Sequence, residues 1–300
     1  MATKRKSLPT WFHYLLMIAP GFTWMFMFSL VPMVGIVMAF QNFMPGKGWF
    51  GSPWVGMDNF TYLFNKSETL QVIWNTFVIA IWKVVLNIII PLTFALLLNE
   101  IKNMKFKKTV QTIVYLPHFL SWVILANVLN NIFGITGVFN LIYSALGGTP
   151  KVWMTEVGLY RGLMIGSDVW KEFGYNAVIY LAALTGISPS LYEAAAIDGA
   201  SRLQSVVHIT LPSLINTVIL LTTLAMGNIL NAGFDQIFNT YSSVVYSVGD
   251  IIDTWVYRMG IVQLNYSWAT AAGLFKSVIS FVLIVGGYGL AYKFADYTIF

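Results

Sequence analysis

Residues 193–212 read EAAAIDGASRLQSVVHITLP, a polar island between two long apolar segments. Glu193 to Ile197 is strong helix-forming material. Gly199 suits a sharp bend, because a residue without a Cβ reaches backbone angles that others avoid. Ser201 to Thr210 forms a second short helix on this reading. Pro212 fits the first turn of a following helix, where its missing N–H has no partner to lose. The stretch therefore predicts a helix, a bend, a short helix and then a new long helix.

The surrounding composition fixes the solvent. Of 300 residues, 57% are hydrophobic and 10% are charged, against about 25% charged in a soluble domain. The expected fold is an all-α membrane protein. Eleven Trp, 15 Tyr and 22 Phe suit the two membrane–water interfaces. The absence of cysteine excludes disulfides, thiolate metal sites and thiol nucleophiles. The net charge of +5 is explained by loop topology and not by nucleic acid. Lys4-Arg5-Lys6 precedes an apolar run from Trp11 to Phe40. That run is twice the length of a signal-peptide core, which is about 7–15 residues, and reads as a retained span.

Six segments meet the requirement of about 20 mainly apolar residues. They are Tyr14–Phe40, interrupted by Pro20 and Pro32, then Val72–Leu98, Val110–Phe133, Arg161–Thr185, Ser213–Leu230 and Ala269–Tyr292. With the N-terminus inside the cell, Lys4, Arg5, Lys6, Lys102, Lys105, Lys107, Lys108, Arg202 and Lys293 are cytoplasmic, nine of the 17 basic residues. Lys47, Lys66, Lys151, Arg161 and Arg258 are external, and Lys83, Lys171 and Lys276 fall within spans. The cytoplasmic segments are also the shorter ones, as the positive-inside rule requires. The expectation is a cytoplasmic tail over 1–13 and one transmembrane domain over 14–300. A cytoplasmic loop over 187–212 joins the fourth and fifth spans, and both termini are cytoplasmic. The turn-rich segments Gln41–Leu70, Gly134–Tyr160 and Ala232–Ser267 lie outside or line a cavity, because lipid cannot satisfy irregular backbone.

Glu193, Ala194, Ala195, Asp198, Gly199, Ala200, Ile209, Leu211 and Pro212 stand at a spacing that resembles the signature loop of permease subunits in binding-protein-dependent ABC importers. Val206 replaces a common aromatic and Asn216 a frequent proline. The resemblance extends over nearly the whole chain. Tyr180–Leu184, Ala232–Asp235, Asp250–Thr254 and Ala272–Ser277 look like the subgroup that imports oligosaccharides in Gram-positive bacteria. It implies a six-span permease of the type I importer fold whose loop is a coupling helix docked on an ATPase subunit. It further implies a second, different permease chain, two ATPase subunits that bind ATP and Mg, an external substrate-binding protein, a carbohydrate cargo and transport by alternating access. No cofactor, metal or catalytic residue is expected in this chain. No phosphate-binding Gly-x-x-x-x-Gly-Lys-Ser/Thr, Gly-x-Ser-x-Gly or His-Glu-x-x-His motif is present.

Charges within spans are costly and usually face a bundle interior or a wet cavity. The fourth span carries Asp168, Trp170, Lys171, Glu172, Tyr175 and Asn176. Most recur at three- and four-residue spacing and share a broad face. Asp168 is expected to pair with Lys171. Two readings stay open: a pathway lining that hydrogen-bonds sugar hydroxyls, with Trp170 and Tyr175 against sugar rings, or an internal ion pair that fixes packing. Asn228 and Asn231 extend the candidate pathway at the end of the fifth span. Lys83 and Asn87 lie one turn apart on the second span, where Lys83 reads as a packing or snorkelling residue. Two rival functions remain: the same machine with a peptide or polyamine cargo, or an intramembrane transferase using Asp168 and Glu172.

Overall fold

The computed structural model describes residues 9–227 and 229–295; Asn228 and the extreme termini lie outside it. The described residues are almost wholly helical, with one isolated bridge between Gln41 and Trp54. The chain opens with α1 (Thr10–Met25), a π turn over Phe26–Leu30 and a 3-10 stretch over Val31–Phe40. Pro32 follows the π turn because a proline cannot donate to the helical ladder, and wider hydrogen bonding absorbs the gap. After α2 (Gly48–Gly51) and the amphipathic α3 (Asp58–Asn65) comes α4 (Ser67–Asn99), the longest helix.

The expected third span is broken. It is divided into α5 (Met104–Tyr115), a 3-10 turn over Leu116–Phe119 and α6 (Trp122–Phe133). Pro117 interrupts the ladder, and the Ser121 hydroxyl caps the restart by accepting from Ile124 N–H at 3.3 Å. The helix α7 (Val138–Ala145) follows, and α8 (Val157–Thr185) is the expected fourth span. The short α9 (Pro189–Ile197) and α10 (Arg202–Ser205) precede a π turn over Val206–Thr210, which continues directly into α11 (Leu211–Gly227). Ser201 to Thr210 is therefore not a separate short helix. It is the first part of one helix running from Arg202 to Gly227, and the π turn accommodates Pro212. Then come α12 (Phe234–Thr240), α13 (Tyr246–Gly249), α14 (Ile252–Tyr257) and the long α15 (Tyr266–Ala295).

Among the described residues, five helical segments are long and apolar enough to cross a membrane: Trp11–Phe40, Ser67–Asn99, Trp122–Ala145 (α6 with α7), Arg202–Gly227 and Tyr266–Gly289. At 1.5 Å per residue, the 29 residues of α8 extend about 43 Å, which is also enough. It differs from the five by carrying Arg161, Asp168, Lys171 and Glu172.

Helix α8 packs along α4 at the centre, and two of three cores form along that seam. One, around Ile79, Leu125, Tyr160 and Ile237, joins α4, α6, α8 and α12. A second joins α3, α14 and α15 through Leu63, Trp255 and Ala271. A third, with Ala95, Ala177, Tyr180 and Leu214, lies toward the α9 end. The first helix touches the bundle mainly through its last turns, where Gly35 and Ala39 are buried against α15.

The approach of α5 to α8 depends on one missing side chain. A Cβ at Gly174 would collide with the Val114 carbonyl and side chain, whereas Gly166 on the same helix faces open space. Overpacking costs about 1–3 kcal/mol or more. Gly174→Val is therefore expected to lower the melting temperature of the detergent-purified protein by about 5 °C, with Gly166→Ala unchanged. Equal melting temperatures for the two variants would show that α5 is free to move aside.

Candidate functional site

A cavity of about 280 Å³ lies between α4, α8 and the end of α11. Its polar wall is made by Lys83, Asn87, Asp168, Asn176 and Asn231. Lys83 is the midpoint of α4, and its ammonium sits 3.0 Å from Asp168 Oδ1. It also donates to Ala232 O at 2.9 Å and to Gln236 Oε1. The other Asp168 oxygen accepts from Asn87 at 3.0 Å, and Asn87 accepts from Asn176 at 3.5 Å. Gln236 is fully buried and donates to Met164 O at 2.7 Å and Ser167 Oγ at 2.8 Å. Asp168 and Lys83 are thus paired, and the free capacity of the wall is in its three carboxamides and in the Tyr180 hydroxyl, which is buried without a hydrogen-bond partner. Such groups donate and accept at once, which suits a cargo made of hydroxyls.

The fourth-span residues do not form one lining. Asp168 and Asn176 reach this cavity, together with Asn231. Lys171, Glu172 and Tyr175 turn to the break in the third span instead. Lys171 Nζ lies 2.7 Å from Glu172 Oε1 and donates to His118 O at 2.8 Å. His118 Nδ1 meets Glu172 Oε2 at 2.6 Å, and its ring stacks on Tyr175 with centroids 3.9 Å apart. Trp170 faces a separate, apolar cleft with Leu129 and Phe133. The expected Asp168–Lys171 pair is replaced by Asp168–Lys83, because Lys171 is directed toward His118. Lys83 is buried, not snorkelling, and Lys276 is paired with Asp253 at 2.6 Å. Gln236 escaped the sequence reading; the one available signal was the Lys83–Asn87 spacing, which puts two polar groups on one face of an apolar helix. The candidate residue Asn228 lies outside the described residues.

The 187–212 loop projects from one end of the bundle. Pro189 occupies the first turn of α9. The helix ends in a left-handed Gly199, φ +74°, with Ala200 N–H donating to Ala195 O at 2.9 Å and Gly199 N–H to Ala196 O at 3.2 Å. This is a glycine-terminated cap. Ser201 and Gln204 form a capping box for the next helix. Tyr192 Oη lies 2.9 Å from Thr210 Oγ1 and fastens α9 to the π turn. Ile209, Leu211 and Pro212 form the root of the loop. Glu193, Ala194 and Asp198 are exposed, while Ala195 and Ala200 are half-buried. Two apolar side chains flank the bend in solvent, Ile197 at 87% exposure and Leu203 at 73%. Glu193 is the fifth residue of α9, not its start, so it lies beyond the first turn where the helix dipole acts.

At the opposite end, Arg258 bridges Asp250 at 2.6 Å and Glu68 at 3.1 Å. Burial pushes the Asp250 carboxyl up, against the pull of the Arg258 guanidinium. Burial is the largest single influence on Arg258 and opposes its charge, but the hydrogen bond and charge of Asp250, with Tyr246 and Glu68, together hold that group above its ordinary value. Arg161 donates to Asn75 at 2.7 Å and Asn75 donates to Asp250 O at 3.1 Å, so the start of α4, the start of α8 and the α13–α14 turn are tied together.

Residues 87–295 match the family described as binding-protein-dependent transport system inner membrane component. The chain is 38% identical to Protein LplB of Bacillus subtilis (strain 168) over 288 residues, covering 96% of this chain and 90% of the relative. It is also 38% identical to the polygalacturonan/rhamnogalacturonan transport system permease protein YteP of the same organism, covering 95% and 89%. Among solved structures, a chain of a bacterial alginate ABC transporter in complex with alginate pentasaccharide-bound periplasmic protein superposes with a TM-score of 0.87 at 34% identity, covering 94% of each chain. With the fold matched over 94% of the chain and the family's extent covering α8, the 187–212 loop and all that follows to residue 295, the chain belongs to the inner-membrane components of binding-protein-dependent transport systems.

Proposed function

We propose that the chain is the permease subunit of an ATP-driven importer of a carbohydrate, an oligosaccharide in particular. The observation that carries this reading is the carboxamide-walled cavity inside the bundle, in a chain whose relatives are named for polygalacturonan, rhamnogalacturonan and alginate. Asp168, Asn176 and Asn231, joined by Lys83 and Asn87, make this chain's side of the pathway. Glu172, Tyr175 and Trp170 act in this reading through helix packing at its edges. A second permease of similar fold completes the pathway, and a substrate-binding protein delivers cargo from outside. Two ATPase subunits bind ATP and Mg and dock on the 187–212 loop, which lies in the cytoplasm with both termini. The docking contacts are Glu193, Ala194, Ala195, Asp198, Gly199 and Ala200, with Ile209, Leu211 and Pro212 transmitting motion into α11. Ile197 and Leu203 add the apolar area that a cleft on the ATPase would bury. The energy comes from the ATPases, and the bundle alternates between outward-open and inward-open states.

Two measurements test the docking loop. Left-handed backbone costs an L-residue about 1–2 kcal/mol, and β-branched side chains tolerate it worst. Gly199→Val is therefore expected to reach the membrane in normal amount but to recover less ATPase on affinity purification. Truncating one partner of a desolvated charge pair costs about 2–5 kcal/mol, so Glu193→Gln is expected to cut uptake at least tenfold. Uptake at the wild-type rate would move the contact elsewhere on α9.

The cavity is tested by labelling. The chain has no native cysteine. Asn176→Cys in the assembled transporter is expected to react with a water-soluble maleimide, and uptake of labelled galacturonan or alginate oligosaccharides by cells should be lost when the chain is deleted. A thiol that stays inert in every nucleotide state would make this face a packed one.

A further inference from the structure

The fifth apolar segment ends inside the bundle. Helix α11 stops at Gly227, and residues 229–233 are unwound before α12 begins. Unwound backbone within a membrane bundle is tolerated only where other groups satisfy its carbonyls. Here the Lys83 ammonium does so at Ala232 O, 2.9 Å away. Its two remaining donors go to Asp168 on α8 and Gln236 on α12. An ammonium has three donors, and all three are used, each on a different segment. The backbone is shaped around it: Gly233 is left-handed at φ +95°, and a Cβ there would lie 2.7 Å from Lys83 Nζ.

We propose that Lys83 is a positioning residue, a charge lock that holds the unwound stretch and α12 against the α4–α8 seam. The proposal rests on reading the cavity as the transport pathway and adds how its wall is fixed and released. Lys83 acts through the backbone it holds and not by touching cargo. Asp168 is the release point. Its carboxylate is shared between Lys83 and the cavity residue Asn87, so a hydroxyl-rich cargo that donates to Asp168 competes with the lock. Separation of α8 from α4 withdraws Asp168 from the ammonium and draws Gln236, which donates to Met164 O and Ser167 Oγ on α8, away from Lys83, so that Lys83 holds the 229–236 segment only at Ala232 O.

The test uses the complete transporter in lipid nanodiscs. Ala232→Cys places a thiol in the held stretch, where the native side chain is fully buried. Lys83→Met/Asp168→Asn removes both charges together, leaving neither unpaired. Gly233→Ala keeps both charges and drives a methyl group toward the ammonium. Either change is expected to raise maleimide labelling of the introduced thiol, and ATP hydrolysis without binding protein, by about tenfold. Wild-type labelling and hydrolysis in the assembled variants would overturn the lock and leave the pair as packing. If Lys83→Met/Asp168→Asn does not assemble, Asp168→Asn alone, which leaves the left-handed backbone at Gly233 untouched, decides. A reactive Asn176→Cys beside wild-type behaviour of both variants refutes the lock and not the pathway. An inert Asn176→Cys beside raised labelling refutes the pathway and not the lock.

Discussion

The bundle depends on the seam where α4 and α8 meet, and the seam depends on a charge pair at 3.0 Å. Removing one member of a buried pair costs about 3–5 kcal/mol, because it leaves the other charge without compensation. The pair therefore fixes the rotation of both helices. Once Asp168 faces α4, Lys171 must point toward the 116–119 turn and Trp170 toward α6. The directions of Lys171 and Trp170 thus follow from that of Asp168.

The irregular stretches have identifiable local causes. Pro32, Pro117 and Pro212 each lie in or beside a turn that departs from α-helical hydrogen bonding. Gly199 and Gly233 supply left-handed backbone at the two sharpest reversals near the site. Helices in lipid carry their own hydrogen bonds, so each break needs a substitute donor or acceptor. Ser121 serves at the break after Pro117, and Lys83 at the unwound stretch before α12.

Much of this was legible in the sequence. Apolar run lengths located the main helices, and the Gly199 bend was readable because few residues other than glycine occupy that backbone region. Two local signals were present but passed over. Pro117 followed by Ser121 marks a stop and a restart, and Ser188-Pro189 marks a helix start four residues before Glu193. The partner of Asp168 was not legible in the same way. Lys171 is its neighbour on one helix, whereas Lys83 lies 85 residues earlier, and the choice between them is made by helix rotation in the packed bundle. Gln236 was hidden for a related reason. Nothing in its local sequence says that a segment after the fifth apolar run folds back to the middle of α4.

The charges in the middle of α8 also bear on biogenesis. An Asp, Lys or Arg at the centre of an inserting helix costs about 2.5–3.5 kcal/mol, while each large apolar residue returns only about 0.3–0.6. Asp168, Lys171 and Glu172, near the middle of α8, therefore make it a poor candidate for entering the bilayer unaided. Its compensating groups are already made when it leaves the ribosome: Lys83 for Asp168, and His118 for Lys171 and Glu172. Each lies upstream in the chain, so the order of synthesis delivers the earlier helices as the solvent in which α8 dissolves.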